Sequence, residues 1–284
     1  MRTIKKIHQA QYAPIADLET YRALPTASVD YIDPFLFLNH HGPQVYATPN
    51  NGLPFGPHPH RGMETVTFIL EGDIAHKDSS SGQESVINAG GVQWMTAGRG
   101  LIHAEVSSQK FKREGGPLEI LQLWVNLPAS RKMVEPFYKG VQQDDIPKRT
   151  LDNGRVIAEL VSGAWEGQKA AFESASNILL SVIRFQSGGE VTLSVPEDHN
   201  IFFYVISGKL SVGDSEVAAL RLAEFNQDGG EVTVKASEES VLLFGHAQPF
   251  NEPVVAQGPF VMNTQEEIQQ AYQDYEQGKF GSWR

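Results

Sequence analysis

Short apolar or alternating runs, each closed by a turn signal, recur along this chain. They occupy residues 65–70, 91–96, 118–126, 156–161, 178–185, 201–206, 231–235 and 240–244 and are rich in Val, Ile, Phe, Thr and Trp. Glu71-Gly72-Asp73, Ala89-Gly90-Gly91, Asp152-Asn153-Gly154, Ser187-Gly188-Gly189 and Asp228-Gly229-Gly230 stand at their ends. Runs this short suit β-strands, and the Gly, Asn and Asp residues between them supply the backbone freedom that tight turns require. The pattern predicts an all-β protein of the sandwich or barrel type.

A chain of 284 residues is long for a single core and accommodates two domains of ordinary size. A weak internal repeat points the same way. Phe68-Ile69-Leu70-Glu71-Gly72-Asp73-Ile74 resembles Tyr204-Val205-Ile206-Ser207-Gly208-Lys209-Leu210, 136 residues later. Residues 129–150, with Pro136 and Pro147, read as the connection, which divides the chain into domains 1–140 and 141–284. The chain's end has a different period. Thr264 with Glu267 reads as a capping box. Ile268, Ala271, Tyr272 and Tyr275 then form one apolar stripe, and Gly278 is placed to stop the helix.

Charge and composition narrow the function classes. The net charge of −11 disfavours contact with phosphate backbones and anionic membranes. Lys110, Lys112, Arg113, Arg131 and Lys132 read as a solvated face. With no cysteine, disulfides, thiolate metal sites and Cys nucleophiles are excluded. The start, Met-Arg-Thr-Ile-Lys-Lys-Ile-His-Gln, lacks the apolar run of a secretory signal, and no stretch approaches the ~20 apolar residues of a membrane helix. The expectation is a soluble cytoplasmic protein with neither nucleic-acid nor membrane partners.

The chemistry concentrates in two short motifs. His58-Pro59-His60 precedes the apolar run at 65–70, and His103-Ala104-Glu105 follows the glycine-rich turn Ala97-Gly98-Arg99-Gly100. In a strand, residues two apart share a face. Two such pairs on neighbouring strands supply three imidazole nitrogens and one carboxylate oxygen, a donor set that suits Fe, Mn, Ni, Cu or Zn. Four protein ligands leave two positions of an octahedron open. An HxH pair alone is common on surfaces; its partnership with HxE about 45 residues on gives the reading its force.

With these motifs the chain resembles the cupins and, more narrowly, the pirin family. The resemblance rests on Asp33-Pro34-Phe35-Leu36-Phe37-Leu38, His58-Pro59-His60-Arg61-Gly62-Met63-Glu64-Thr65-Val66, Gln93-Trp94-Met95-Thr96-Ala97-Gly98-Arg99-Gly100, Leu121-Gln122-Leu123-Trp124-Val125-Asn126-Leu127-Pro128 and Gly258-Pro259-Phe260-Val261-Met262-Asn263-Thr264. It covers nearly the whole chain. It implies two cupin (jelly-roll) β-barrels packed together, with a C-terminal helix. It also implies one divalent metal in the N-terminal barrel, held by His58, His60, His103 and Glu105. Iron(II) is the family's usual ion, with Mn, Ni, Cu, Co or Zn compatible. Cupins at large use a Glu of the first motif, here Glu64; the pirin pattern takes it from the second, which assigns Glu105 and leaves Glu64 a supporting role. The second barrel has no HxH, and His246 has no carboxylate two residues on, so a metal-free barrel is expected there.

By the same resemblance the chain is expected to act as a quercetin 2,3-dioxygenase, opening a flavonol with O₂ and releasing CO. Glu105 then serves as the base for the flavonol hydroxyl, and Phe55, Met63, Trp94 and Met95 are candidates to line the cavity. His40, His41 and His76 read as surface or structural residues, with a supporting role at the site left open. The family's regulators give the alternative: a metal whose oxidation state tunes binding to a transcription factor or a metabolic enzyme.

Overall fold

The computed structural model describes residues 1–80 and 82–283, and strands dominate it. Two compact units emerge, and they are interleaved along the chain. One contains residues 1–11, 22–36 and 145–249; the other contains 12–21, 37–144 and 250–284. This corrects the linear division at 140/141. The stretch read as a connection is largely strand: Phe137–Val141 belongs to one sheet and Lys148–Leu151 to another, leaving only a few residues between them.

Each unit pairs a seven-stranded sheet with a four-stranded one, the double-sheet jelly roll expected of a cupin. In the unit with the HxH motif, the large sheet runs Phe137–Val141, Val92–Thr96, Met63–Glu71 and Gly116–Asn126, followed by residues 37–46, 20–21 and 12 of its three remaining strands. Its small sheet runs Phe55–His60, Leu101–Val106, Asp73–Asp78 and Glu84–Asn88. Leu18, Ile69, Ile74, Ile87, Leu118 and Ile120 form an apolar core between the two sheets.

In the other unit the large sheet runs Ile4–Gln9, Arg221–Phe225, Asn200–Ser207, Ser240–Ala247, Leu179–Phe185, Val156–Ser162 and Lys148–Leu151. Its small sheet runs Glu190–Ser194, Glu231–Ala236, Lys209–Val212 and Ser215–Ala218. The N-terminal strand Ile4–Gln9 therefore serves the unit built mainly from the chain's second half.

The internal repeat marks a corner. At Gly72 the chain leaves the large-sheet strand Met63–Glu71 and enters the small-sheet strand Asp73–Asp78; at Gly208 it passes in the same way from Asn200–Ser207 to Lys209–Val212. Both glycines have positive φ, +86° and +74°. A Cβ on Gly208 would lie 2.2 Å from the Glu239 carbonyl oxygen, and one on Gly72 3.1 Å from that of Pro117. A corner at which backbone passes this close to backbone requires glycine.

The C-terminal helix, Gln265–Glu276, begins at Thr264 with the capping box complete. Ile268 and Ala271 are fully buried against Phe260, Met262 and Phe280, while Tyr275 at the stripe's edge is 38% exposed. The segment belongs to the HxH unit, not to the second barrel as its position in sequence suggested. Arg61 explains why: its guanidinium donates to Asp274 Oδ2 at 2.9 Å and lies 4.6 Å above the Phe280 ring, and its backbone carbonyl accepts from Val261 N at 3.0 Å. Among the described residues, no helix is long and apolar enough to cross a membrane.

Candidate metal centre

The strand Leu101–Val106 lies between Phe55–His60 and Asp73–Asp78. Antiparallel register sets His103 opposite His58 on one side and Asp78 on the other, and Glu105 opposite His76. Period-two alternation then puts His58, His60, His76, Asp78, His103 and Glu105 on one face of the small sheet. A bulge between His103 and Glu105 shifts the register on the His58 side.

The side chains converge. His103 Nε2 lies 3.0 Å from His58 Nε2, and the three ring centroids of His58, His60 and His103 are 4.4–4.9 Å apart. Donor atoms of these three histidines fall within 4.8 Å of one another. Glu105 joins a second group, with His76 and His103, inside the same limit. His103 is thus common to two overlapping triads.

Local bonds fix the imidazoles. His58 Nδ1 donates to the Gly56 carbonyl at 2.7 Å, and His60 Nδ1 to that of Pro259 at 3.1 Å. Each leaves Nε2 as a lone-pair donor, since in a neutral imidazole one nitrogen carries hydrogen and the other does not. Burial holds His60 down to about 3, with His58 adding to the effect. Burial likewise pushes His103 well below the ordinary imidazole value, reinforced by His60, His58 and His76. Three imidazoles aimed at one region, with a carboxylate on the same face of the sheet, fit a borderline divalent cation.

Glu105 is held by the opposite sheet. Thr67 Oγ1 donates to its Oε1 at 2.9 Å, Gln93 Nε2 donates to the same oxygen, and Gln122 Nε2 donates to Oε2. Tyr138 in turn donates to Gln93 Oε1 at 3.2 Å and meets Ser85 Oγ at 2.6 Å. Trp124 stands 5.3 Å edge-on from His60 and stacks on Phe37 at 4.5 Å. The sequence reading missed Thr67, Gln93, Gln122, Trp124 and Tyr138 as site-shaping residues. A signal was present for three of them: Thr67, Gln93 and Gln122 are polar residues inside otherwise apolar strands, which is where a buried polar contact is to be sought.

Glu64 faces the other way. Opposite in parity to Thr65 and Thr67, it is fully buried and accepts from Trp94 Nε1 at 2.9 Å and Thr96 Oγ1 at 2.8 Å. Trp94 shares that outer face and does not line the region around the histidines, contrary to expectation. Met63 and Met95 have the inward parity and are buried, Met95 with Ala97, Leu101 and Tyr138. Phe55 packs on the apolar core and lies 5.3 Å from the His41 ring.

His40 and His41 are buried and apart from the triads, His40 against Glu119 at 2.8 Å and His41 against Thr20 at 2.8 Å. Lys132 is not on a solvated face. It is buried, and its ammonium donates to Gly62 O, Asn126 Oδ1 and Val261 O at 2.7–3.0 Å, with burial lowering it to about 8.

Two jelly-roll barrels, one carrying inward histidines and a carboxylate on its small sheet, define the chain as a bicupin. Residues 17–125 match the pirin family model and residues 180–281 match that of the pirin C-terminal cupin domain; the chain belongs to the pirin family. A "Pirin-like protein" of Caulobacter vibrioides is 37% identical over 285 residues, covering 99% of each chain. A Pseudomonas aeruginosa relative named "Putative quercetin 2,3-dioxygenase PA2418" is 35% identical over 94% of this chain and 92% of its own. The crystal structure of a quercetin 2,3-dioxygenase from Acinetobacter baumannii superposes with a TM-score of 0.92 at 35% identity, covering 99% of both chains.

Proposed function

We propose that this protein is a metal-dependent flavonol 2,3-dioxygenase of the quercetin type, with His58, His60, His103 and Glu105 as the ligands of one divalent ion, iron(II) foremost. The convergence of imidazole nitrogens, His58 Nε2 and His103 Nε2 at 3.0 Å with His60 beside them, carries the reading. The names of the Pseudomonas and Acinetobacter proteins support the substrate class. When bound, the ion supplies Lewis acidity toward the flavonol oxygens and a redox centre for O₂.

The chain's own residues do the rest. His58 and His60 are oriented by backbone carbonyls, so their donor atoms stay preorganised. Glu105 is the base for the flavonol 3-hydroxyl. An ionised carboxylate offers about four lone-pair directions, and Thr67, Gln93 and Gln122 occupy three of them. The one remaining direction serves the ion or the proton, so proton uptake requires one amide donor to let go. Trp124 and Phe37, stacked beside His60, supply flat apolar surface for an aromatic ring.

The test is O₂ uptake and CO release with quercetin by anaerobically iron(II)-loaded protein, beside a His103→Ala variant. Turnover by the parent alone is the expected result. A fully loaded parent that leaves quercetin intact would sink the reading and favour the metal-sensing regulator, which binds a protein partner instead.

A further inference from the structure

Gly72 and Gly208 mark the same corner in the two barrels, and Thr65 and Ile201 stand equally far before them. Their cross-strand partners are Trp124 and His246, so His246 occupies in the second barrel the place that Trp124, beside His60, has in the first. The pairing extends the match. Phe244 lies opposite Phe203 as Gln122 lies opposite Thr67, and Leu193 lies opposite Val232 as His58 lies opposite His103.

Around His246, at this position, the chain leaves a pocket of about 130 Å³ whose apolar wall is Trp165, Leu179, Leu193 and Phe244. Trp165 comes from the hairpin of Ala164–Trp165 and Gln168–Lys169 and packs, with Leu179, on the apolar core of its unit. Ala164, Glu166 and Ser194, all exposed, form the rim. A cavity of ~150 Å³ lined by Leu, Ile and Phe takes up benzene, so this one is the size of a single ring. Drug-sized ligands fill about 300 Å³ or more, which puts a flavonol out of its reach.

One buried polar group completes the wall. His246 is 9% exposed, and its Nδ1 lies 2.9 Å from His199 Nδ1. One of those two nitrogens carries the hydrogen and the other accepts it. Burial holds His246 down to about 4, with His199 and Arg2 adding to the effect, and burial lowers His199 as well. Both rings are therefore neutral at neutral pH. His246 Nε2 has no hydrogen-bond partner among the described residues. It is a lone pair if His246 donates to His199, and an N–H if His246 accepts. A hydroxyl both gives and takes hydrogen bonds and satisfies either tautomer, whereas a ketone or an ether serves only one of them. Charge narrows the ligand further. Among the described residues that line the pocket none is cationic, and Glu166 sets a carboxylate at the rim, so an anion meets no countercharge.

We infer that this pocket is a binding site for a neutral, single-ring phenol, with its hydroxyl on His246 Nε2 and its ring among Trp165, Leu179, Leu193 and Phe244. The site is separate from the metal centre and does not depend on the activity proposed for it.

The experiment titrates the full chain with phenol, toluene and benzoate and follows the ring resonances of His199, His246 and Trp165 by NMR. Phenol should shift all three saturably, with a dissociation constant below about 1 mM. Toluene and benzoate should bind at least about tenfold more weakly, the one for want of a hydrogen bond and the other for its charge. Ser194→Trp, at an exposed rim position that leaves the core untouched, should abolish these shifts, and His246→Phe should bind phenol and toluene alike. No saturable shift at His246 and Trp165, or phenol binding undiminished in Ser194→Trp, would overturn the site. Equal affinity of the parent for phenol and toluene would overturn the assignment of a phenol, since His246 would then recognise nothing.

Discussion

The two barrels share a strand order and differ in what they place inside it. Counting outward from the corner glycines, Gly72 and Gly208, aligns their small sheets residue by residue. His58, His60, His76, His103 and Glu105 in one correspond to Leu193, Val195, Val212, Val232 and Val234 in the other. All five of the latter are buried in the apolar core of their unit. The large sheets differ likewise: Thr67, Gln93 and Gln122, the donors to Glu105, correspond to Phe203, Ala223 and Phe244. One barrel thus carries a polar site that its fold tolerates, and the other shows what the same fold contains when packing alone decides. The second barrel does bring a pair of histidines together, His199 and His246, with Nδ1 atoms 2.9 Å apart, but they lie off the five aligned positions.

The largest test of this comparison moves the second barrel's residue into the first. His103→Val imports the aliphatic side chain of the aligned position. Loss of one of the four proposed ligands should weaken divalent-metal binding by about 3–4 kcal/mol, roughly a thousandfold. The metal-free protein should unfold at the same urea concentration as the parent or a higher one, because a buried imidazole with an unpartnered Nδ1 is replaced by a group of similar volume. A variant that loses stability as severely as it loses metal would mean that His103 holds the fold and not the ion.

The reciprocal change should cost stability and gain no metal. Val232 is fully buried among Val191, Leu193, Val234 and Leu210. Val232→His puts an imidazole there with no polar partner in the aligned positions. Overpacking and an unsatisfied polar group together should destabilise the unit by about 2–4 kcal/mol in urea unfolding. An unchanged midpoint would show that the second barrel has room for a polar site, and the contrast between the two cores would lose its physical basis.

Much of this contrast was legible in the sequence. The spacing of His58-Pro59-His60 and His103-Ala104-Glu105 foretold that these side chains share one face, because strand parity is local. The absence of a second HxH led only to the expectation of a metal-free barrel; the valines at 232 and 234 alternate in the sequence, but that they fill the aligned positions is seen only in the structure. Parity also settles Glu64, since a residue next to inward Thr65 must face outward. The interleaving was not legible. Nothing in the period of residues 4–9 tells that Ile4–Gln9 pairs with Arg221–Phe225, and the helix stripe says what Gln265–Glu276 buries without saying against which barrel. Lys132 was misread for the same reason: its three acceptors come from Gly62, Asn126 and Val261, distant in sequence. His76 lay in the strand Asp73–Asp78, where only the register against Glu105 reveals its neighbours.

The helix offers the smallest and most selective test, because it is attached to the polar barrel at the segment that follows His60. Asp274 is the clasp. A hydrogen bond from Lys279, together with those from Arg61 and Gln270, holds its carboxyl down to about 2, against the opposing effect of burial. A carboxyl of ordinary value near 4 in the unfolded chain binds protons there before it does in the folded one. The contribution, about 2 kcal/mol, is therefore complete above pH ~4 and is lost as pH falls through about 2. In metal-free protein, Asp274→Asn should lower stability by about that amount at neutral pH and converge with the parent at pH ~2. Hydrogen exchange locates the loss. Amides of Gln265–Glu276 and of residues 60–63 should exchange faster in the variant, while those of Glu231–Ala236 in the apolar barrel should keep their protection. Equal acceleration in both barrels would mean that the unit boundaries drawn from the fold do not correspond to units of stability, and the two cores would have to be treated as one.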